Sequence, residues 1–237
     1  MEKASKKTRI WELDALRGIF ILCMVAVHII WDLDNIFIKN FDAPAVYELA
    51  LNYGAIFFIV LSGICVTLGR HSARRGAIVL GFGIVITLVF LGLVHFELGA
   101  FYPVWFGILH LLGTCMLVYP LFRRLPLWAL AVCAVGFALL GFYVDGVRVD
   151  FPPFLIFGFE TGVHGMSDYF PIFPNLGYFL AGAFIGRTAY AKKESLLPRF
   201  PKDNPVVRAL SFCGRQSLFI YVLHQPIVYG VLWLIFG

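Results

Sequence analysis

Seven long apolar runs, set between short polar gaps, constrain this chain more than any other feature of it. They cover roughly residues 16–36, 46–69, 76–94, 103–122, 127–144, 171–189 and 215–236. At about 1.5 Å of rise per helical residue, each run can cross most or all of a hydrocarbon layer about 30 Å thick. Lipid offers no partner to a backbone N–H or C=O, so the runs must close their hydrogen bonds internally as helices. A transmembrane barrel needs short alternating strands, and these runs are continuous. With 60% hydrophobic and 14% charged residues, a soluble domain could not hide its apolar surface. The expected fold is all-α, a polytopic membrane bundle of about seven transmembrane helices.

The basic residues orient it. With the N-terminus in the cytoplasm, all of the 19 lysines and arginines except Lys39 and Arg148 fall on the cytoplasmic side. That asymmetry is the positive-inside pattern, and it predicts a cytoplasmic N-terminus and an external C-terminus. Residues 1–15 then read as a basic cytoplasmic arm. Residues 16–237 form a single transmembrane domain, with an external loop at 145–170 and a cytoplasmic loop at 190–214. The first run has a basic start but no small-residue cleavage site after it, so it reads as a retained span. The net charge of +5 is no nucleic-acid signature, because the basic residues sit in the gaps between spans. Cys23, Cys65, Cys115, Cys133 and Cys213 show no paired spacing and read as small core residues. Leu61-Ser62-Gly63 ending at Gly69-Arg70 echoes Leu180-Ala181-Gly182 ending at Gly186-Arg187, which reads as helix packing, not duplication.

Within the first run, Arg17 and His28 are eleven residues apart, close to three helical turns, so they share a face with Asp14 and Asp32. His28 lies about 16 Å beyond Arg17, near the bilayer midplane. An ionisable group at that depth is costly and points to function. Asp32, one turn on, is expected to hold the imidazole tautomer. His110 and His224 fall in the same middle slab. Each has two open roles, a helix–helix hydrogen bond or direct chemistry. His224-Gln225-Pro226 also reads as a proline kink whose freed carbonyl a side chain satisfies. A three-histidine metal site is one option, but no spacing demands a metal and none is expected. Arg17 reads either as a phosphate ligand or as a snorkelling helix-end residue. Arg70, Arg74 and Arg75 read either as phosphate ligands or as plain positive-inside residues. The external loop carries Glu160, Asp168 and Tyr169, a set suited to binding a hydroxyl or amine substrate or to capping the bundle.

Several stretches together carry a resemblance. They are Arg9-Ile10-Trp11-Glu12-Leu13-Asp14-Ala15-Leu16-Arg17-Gly18 followed by His28 and Asp32; Phe106-Gly107-Ile108-Leu109-His110-Leu111-Leu112-Gly113; Asp168-Tyr169-Phe170-Pro171-Ile172-Phe173-Pro174 with Gly177-Tyr178; and Gly214-Arg215-Gln216-Ser217-Leu218 through Tyr221 to His224-Gln225-Pro226. In this order they resemble bacterial relatives of the heparan-α-glucosaminide N-acetyltransferase catalytic-domain family. The Arg17–ten residues–His28 spacing is also similar to the acyltransferase-3 membrane acyltransferases. The resemblance implies an integral protein of the bacterial cytoplasmic membrane. It implies cytosolic acetyl-coenzyme A as acyl donor, a membrane-embedded histidine, and an extracytoplasmic hydroxyl or amine acceptor, a glycan or amino sugar. On that reading His28, Asp32, His110 and His224 are the catalytic candidates. Arg17, Arg70, Arg74 and Arg75 meet coenzyme A, while Glu160, Asp168 and Tyr169 meet the acceptor. The partners are membrane lipids, the donor and the acceptor, with homo-oligomers left open and no nucleic acid. The rival is a proton-coupled permease or lipid-interacting carrier, since buried His and Asp also serve proton relays.

Overall fold

The computed structural model describes residues 9–38, 44–96, 102–200 and 204–236. Eight α-helices follow one another among them: α1 (Trp11–Asp32), α2 (Ala45–Leu68), α3 (Ser72–His95), α4 (Ile108–Phe122), α5 (Leu127–Val144), α6 (Ile172–Thr188), α7 (Pro205–Arg215) and α8 (Ser217–Phe236). A π-helical turn, Leu33–Phe37, prolongs α1, and a 3-10 turn, Pro152–Phe157, sits in the α5–α6 connection. Five stretches are long and apolar enough to cross a membrane: Trp11–Phe37, Val46–Leu68, Ser72–His95, Leu127–Val144 and Ser217–Phe236. The other two expected spans are helices of 15 and 17 residues, α4 and α6, short of the roughly 20 that a full crossing takes. α4 starts at Ile108, not near 103, because the chain runs non-helically from Tyr102 to Gly107. Phe173 breaks the helical conformation in the first turn of α6.

Two other boundaries move. Trp11–Ala15, counted with the basic arm, are already helical, with Glu12 and Asp14 in a first turn that favours acids. Arg74 and Arg75 sit in the first turn of α3, not in the connection before it. Residues 1–8, Lys39, Asp42 and Lys202 lie outside the described residues.

The chain divides into two compact units, one of Met1–Phe58 with Thr188–Gly237 and one of Ile59–Arg187. In the first, α1 carries both α7 and α8. The expected loop at 190–214 conceals α7. Its Asn204 side chain accepts the Val206 N–H at 2.9 Å as N-cap, and Pro205 stands at the first helical position, where its missing N–H costs nothing. The backbones of α1 and α7 touch at Gly18, which faces the Leu210 carbonyl, and at Gly214, which faces the Asp14 carbonyl; any Cβ there would collide. The buried Glu12 side chain accepts the Leu196 N–H at 2.7 Å, and Trp11 stacks on Phe200 at 5.2 Å, so the segment before α7 is strapped to the start of α1. α1 and α8 run in the same direction. Their contacts advance together, from His28 with His224, through Asp32 with Gln225, to Phe37 with Tyr229 and Phe236.

In the second unit, α3 and α4 pack antiparallel through Gly76 against Gly113 and Gly83 against His110. The two echoing small-residue segments meet each other: Gly63 lies on the Phe179 carbonyl, and Gly182 on the Val60 carbonyl. Small residues let lipid-embedded backbones approach, which accounts for the echo without a duplication.

Candidate active site

In the first unit, α1 and α8 bring four polar side chains together. The rings of His28 and His224 meet edge to face, with centroids 4.8 Å apart and planes at 81°. Nδ1 of His28 lies 2.9 Å from the Met24 carbonyl, and Nδ1 of His224 lies 2.6 Å from the Tyr221 carbonyl. A carbonyl can only accept, so each Nδ1 carries a proton, and a ring in its neutral form has its lone pair on Nε2. Asp32 has no exposed surface, and the Gln225 amide donates to both of its oxygens, at 3.1 and 3.0 Å. Two buried atoms here have no partner, His224 Nε2 and Gln225 Oε1.

Asp32 therefore does not set the His28 tautomer; the Met24 carbonyl does. Helical side chains lean toward the N-terminus of their helix, so the imidazole tips back onto residue 24 and away from residue 32. Nor does His224 take the carbonyl that Pro226 frees. Proline at 226 releases the Val222 carbonyl, whereas the ring binds that of Tyr221.

His110 is in the second unit, with different company. The Thr87 hydroxyl donates to the Val104 carbonyl at 2.6 Å, so the oxygen turned to His110 Nε2, 3.3 Å away, offers a lone pair. Nε2 therefore donates. Nδ1 accepts the Gly107 N–H at 3.2 Å, a side chain of the first turn reaching back to the helix start. Both ring nitrogens are spent. Asp168, in the left-handed region at φ 51°, accepts the Ile108 N–H at 3.2 Å and fills the place that a side chain at Gly107 would take. The Tyr169 hydroxyl donates to the Leu155 carbonyl at 2.7 Å, and burial with the charge of Asp145 pushes the phenol up to about 12. Glu160 pairs its backbone with Val147 and Val149 and leaves its side chain exposed.

Of the four arginines, Arg17 lies on α1 in the first unit, and Arg70, Arg74 and Arg75 lie in the second. Arg17, Arg9 and Arg215 all act electrostatically on the Asp14 carboxylate. The Arg75 guanidinium folds over Gly69. Among the described residues, no three His, Cys, Asp or Glu side chains stand close enough to share a metal ion.

A family model, heparan-alpha-glucosaminide N-acetyltransferase, catalytic, matches residues 9–226. The chain belongs to that family. No curated protein and no solved structure matches it. The matched stretch holds all the polar residues of both histidine sites and ends at Pro226, just past His224 and Gln225.

Membership in this catalytic family makes the chain a membrane acetyltransferase in the coarse sense, and it directs attention to groups able to move a proton. The α1–α8 cluster has them, in two bare imidazole nitrogens beside a buried carboxylate. Sequence reading missed three residues. Gln225 is neutral and carries no titratable signal, although it lies between His224 and Pro226. Thr87 reads as one more residue of an apolar run. Arg215 reads as a positive-inside residue until α7 brings it to Asp14.

Proposed function

We propose that this family member is a membrane-embedded acetyltransferase that takes acetyl from cytosolic acetyl-coenzyme A and passes it to an extracytoplasmic hydroxyl or amine, on a glycan or amino sugar. The observation that carries the reading is the buried His224 Nε2 without a partner, beside the His28 ring. Such an atom costs stability unless a ligand completes it.

His28 Nε2 takes the proton of the nucleophile as its oxygen or nitrogen attacks the thioester carbonyl carbon. The carbon–sulfur bond breaks, and the imidazolium returns its proton to the leaving thiolate. Asp32 lies one helical turn beyond His28, within electrostatic reach of the ring. His224 supplies the second base of the pair. Attack by Nε2 itself, with acetyl held on the ring, is the covalent variant of the same chemistry. Arg17, which with Arg9 and Arg215 acts on Asp14, is the residue we assign to the donor's phosphates; Arg70 and Arg74, exposed on the second unit, are the other candidates. In the external loop, Glu160 is the side chain left to meet an acceptor, while Asp168 and Tyr169 hold the loop's shape.

On this reading the chain crosses the bacterial cytoplasmic membrane seven times, with α4 and α6 as short crossings. The parallel run of α1 and α8 supports an external C-terminus opposite a cytoplasmic N-terminus. Purified protein given radiolabelled acetyl-coenzyme A and glucosamine is expected to release coenzyme A and label the amine. Neither transfer nor hydrolysis by well-folded protein would overturn the proposal and leave the carrier reading.

A further inference from the structure

We propose that Gln225 is a substrate-binding residue, and that its carbonyl oxygen is aimed by Asp32 to receive a hydrogen from the molecule being acetylated. The inference rests on the acetyltransferase reading and adds a residue and a selection rule to it.

The hydrogens and lone pairs of the α1–α8 cluster decide the matter. Its ring N–H groups are spent on the Met24 and Tyr221 carbonyls, and the Gln225 amide nitrogen is turned to both oxygens of Asp32. The atoms still lacking a hydrogen are His28 Nε2, His224 Nε2 and Gln225 Oε1, three acceptors side by side in the cluster. His224 Nε2 and Gln225 Oε1 are buried without a partner. A thioester brings only acceptors and cannot complete this set. A group with N–H or O–H hydrogens can. The cluster therefore reads the nucleophile and not the acyl donor.

Asp32 makes this selective. A carboxylate only accepts, so the amide nitrogen must face it and the amide oxygen must face away. Asp32 is wholly buried, and Gln225 grips both of its oxygens, which holds the amide against a half-turn. A substrate that gives one hydrogen to His28 must offer a second, on the same atom or a neighbour, to Gln225. Primary amines and vicinal amino alcohols satisfy this rule, and fully alkylated neighbours do not.

The test uses full-length protein, acetyl-coenzyme A and glucosamine. Gln225→Leu is expected to raise KM for glucosamine about tenfold, worth about 1.4 kcal/mol, with KM for acetyl-coenzyme A within about twofold of wild type. Asp32→Asn frees the amide to turn, so it is expected to raise KM for glucosamine as well. Gln225→Leu added to Asp32→Asn should then raise it no further. Should Gln225→Leu fail to fold, Asp32→Asn carries the same readout. If both single variants keep the wild-type KM for glucosamine, or shift both substrates alike, Gln225 only packs and the proposal falls. Wild-type turnover of acetyl-coenzyme A with no product from glucosamine overturns it too. A wild-type protein that consumes no acetyl-coenzyme A defeats the acetyltransferase reading itself, which is a different result.

Discussion

Two buried histidine sites can be compared in this molecule. His110 is closed, because Thr87 and Gly107 use both ring nitrogens, and the ring fixes the start of α4. The His28–His224 pair is open, because each ring is tethered by Nδ1 alone. The sequence makes the three histidines look alike, each an imidazole deep in an apolar run. The difference lies in whether the protein itself satisfies the second nitrogen. A closed imidazole is a strut, and an open one is a tool waiting for its substrate.

The sharpest way to break that contrast is to remove one ring from each site. His28→Ala is expected to cut acetyl transfer about 10²–10⁴-fold, the range of a lost general base, with the thermal midpoint nearly unchanged. His224→Ala should fall near the lower end of that range. A variant at either position with near-normal transfer would move the chemistry elsewhere. His110→Ala is expected to do the reverse. It leaves the Gly107 N–H and the Thr87 hydroxyl oxygen short of a partner, for a loss of about 1–3 kcal/mol of stability. The fraction that stays folded should turn over at nearly the wild-type rate. Abolished turnover at normal stability would reverse the two assignments.

Arg17→Ala sharpens the comparison from the donor's side. Each charge-assisted phosphate contact is worth about 1.5–3 kcal/mol, so affinity for coenzyme A should drop at least about tenfold in a calorimetric titration. Unchanged affinity would make Arg17 a helix-end anchor. The smallest effect is expected at Tyr169, which is tied to the closed unit. Its phenol is pushed up to about 12, above the ordinary value near 10. The folded state thus favours the neutral form, and the stability it contributes is intact below about pH 10 and is lost as pH rises toward 12. Tyr169→Phe should flatten that part of the stability profile and leave transfer unchanged. An equal slope in both proteins would detach the effect from Tyr169.

Much of the fold was legible because lipid simplifies the code. Length and apolarity place a helix at each of the seven expected positions, and α5 has the bounds the sequence reading gave it, 127–144. α7 escaped because it lies in a basic stretch, where hydropathy sees only a gap; the Asn204-Pro205 start was the available signal. The candidate site was half legible. Charge and phase selected His28 and Asp32, but side-chain lean decides which neighbour each one meets, and spacing alone does not encode lean. The roles of His110 and Gln225 depend on partners from another helix, Thr87 and Asp32. Only the packed structure identifies them.

The pairing of α1 with α8 also sets a timetable. The ribosome makes Asp32 long before Gln225, with nearly the whole chain in between. During that interval Asp32 lacks the Gln225 amide that it accepts from in the folded chain. Arrival of α8 supplies the second imidazole and the amide together. A chain cut anywhere before residue 225 therefore keeps the Asp32 carboxylate without its amide partner, and one cut before residue 224 holds a single imidazole where the folded protein has a pair.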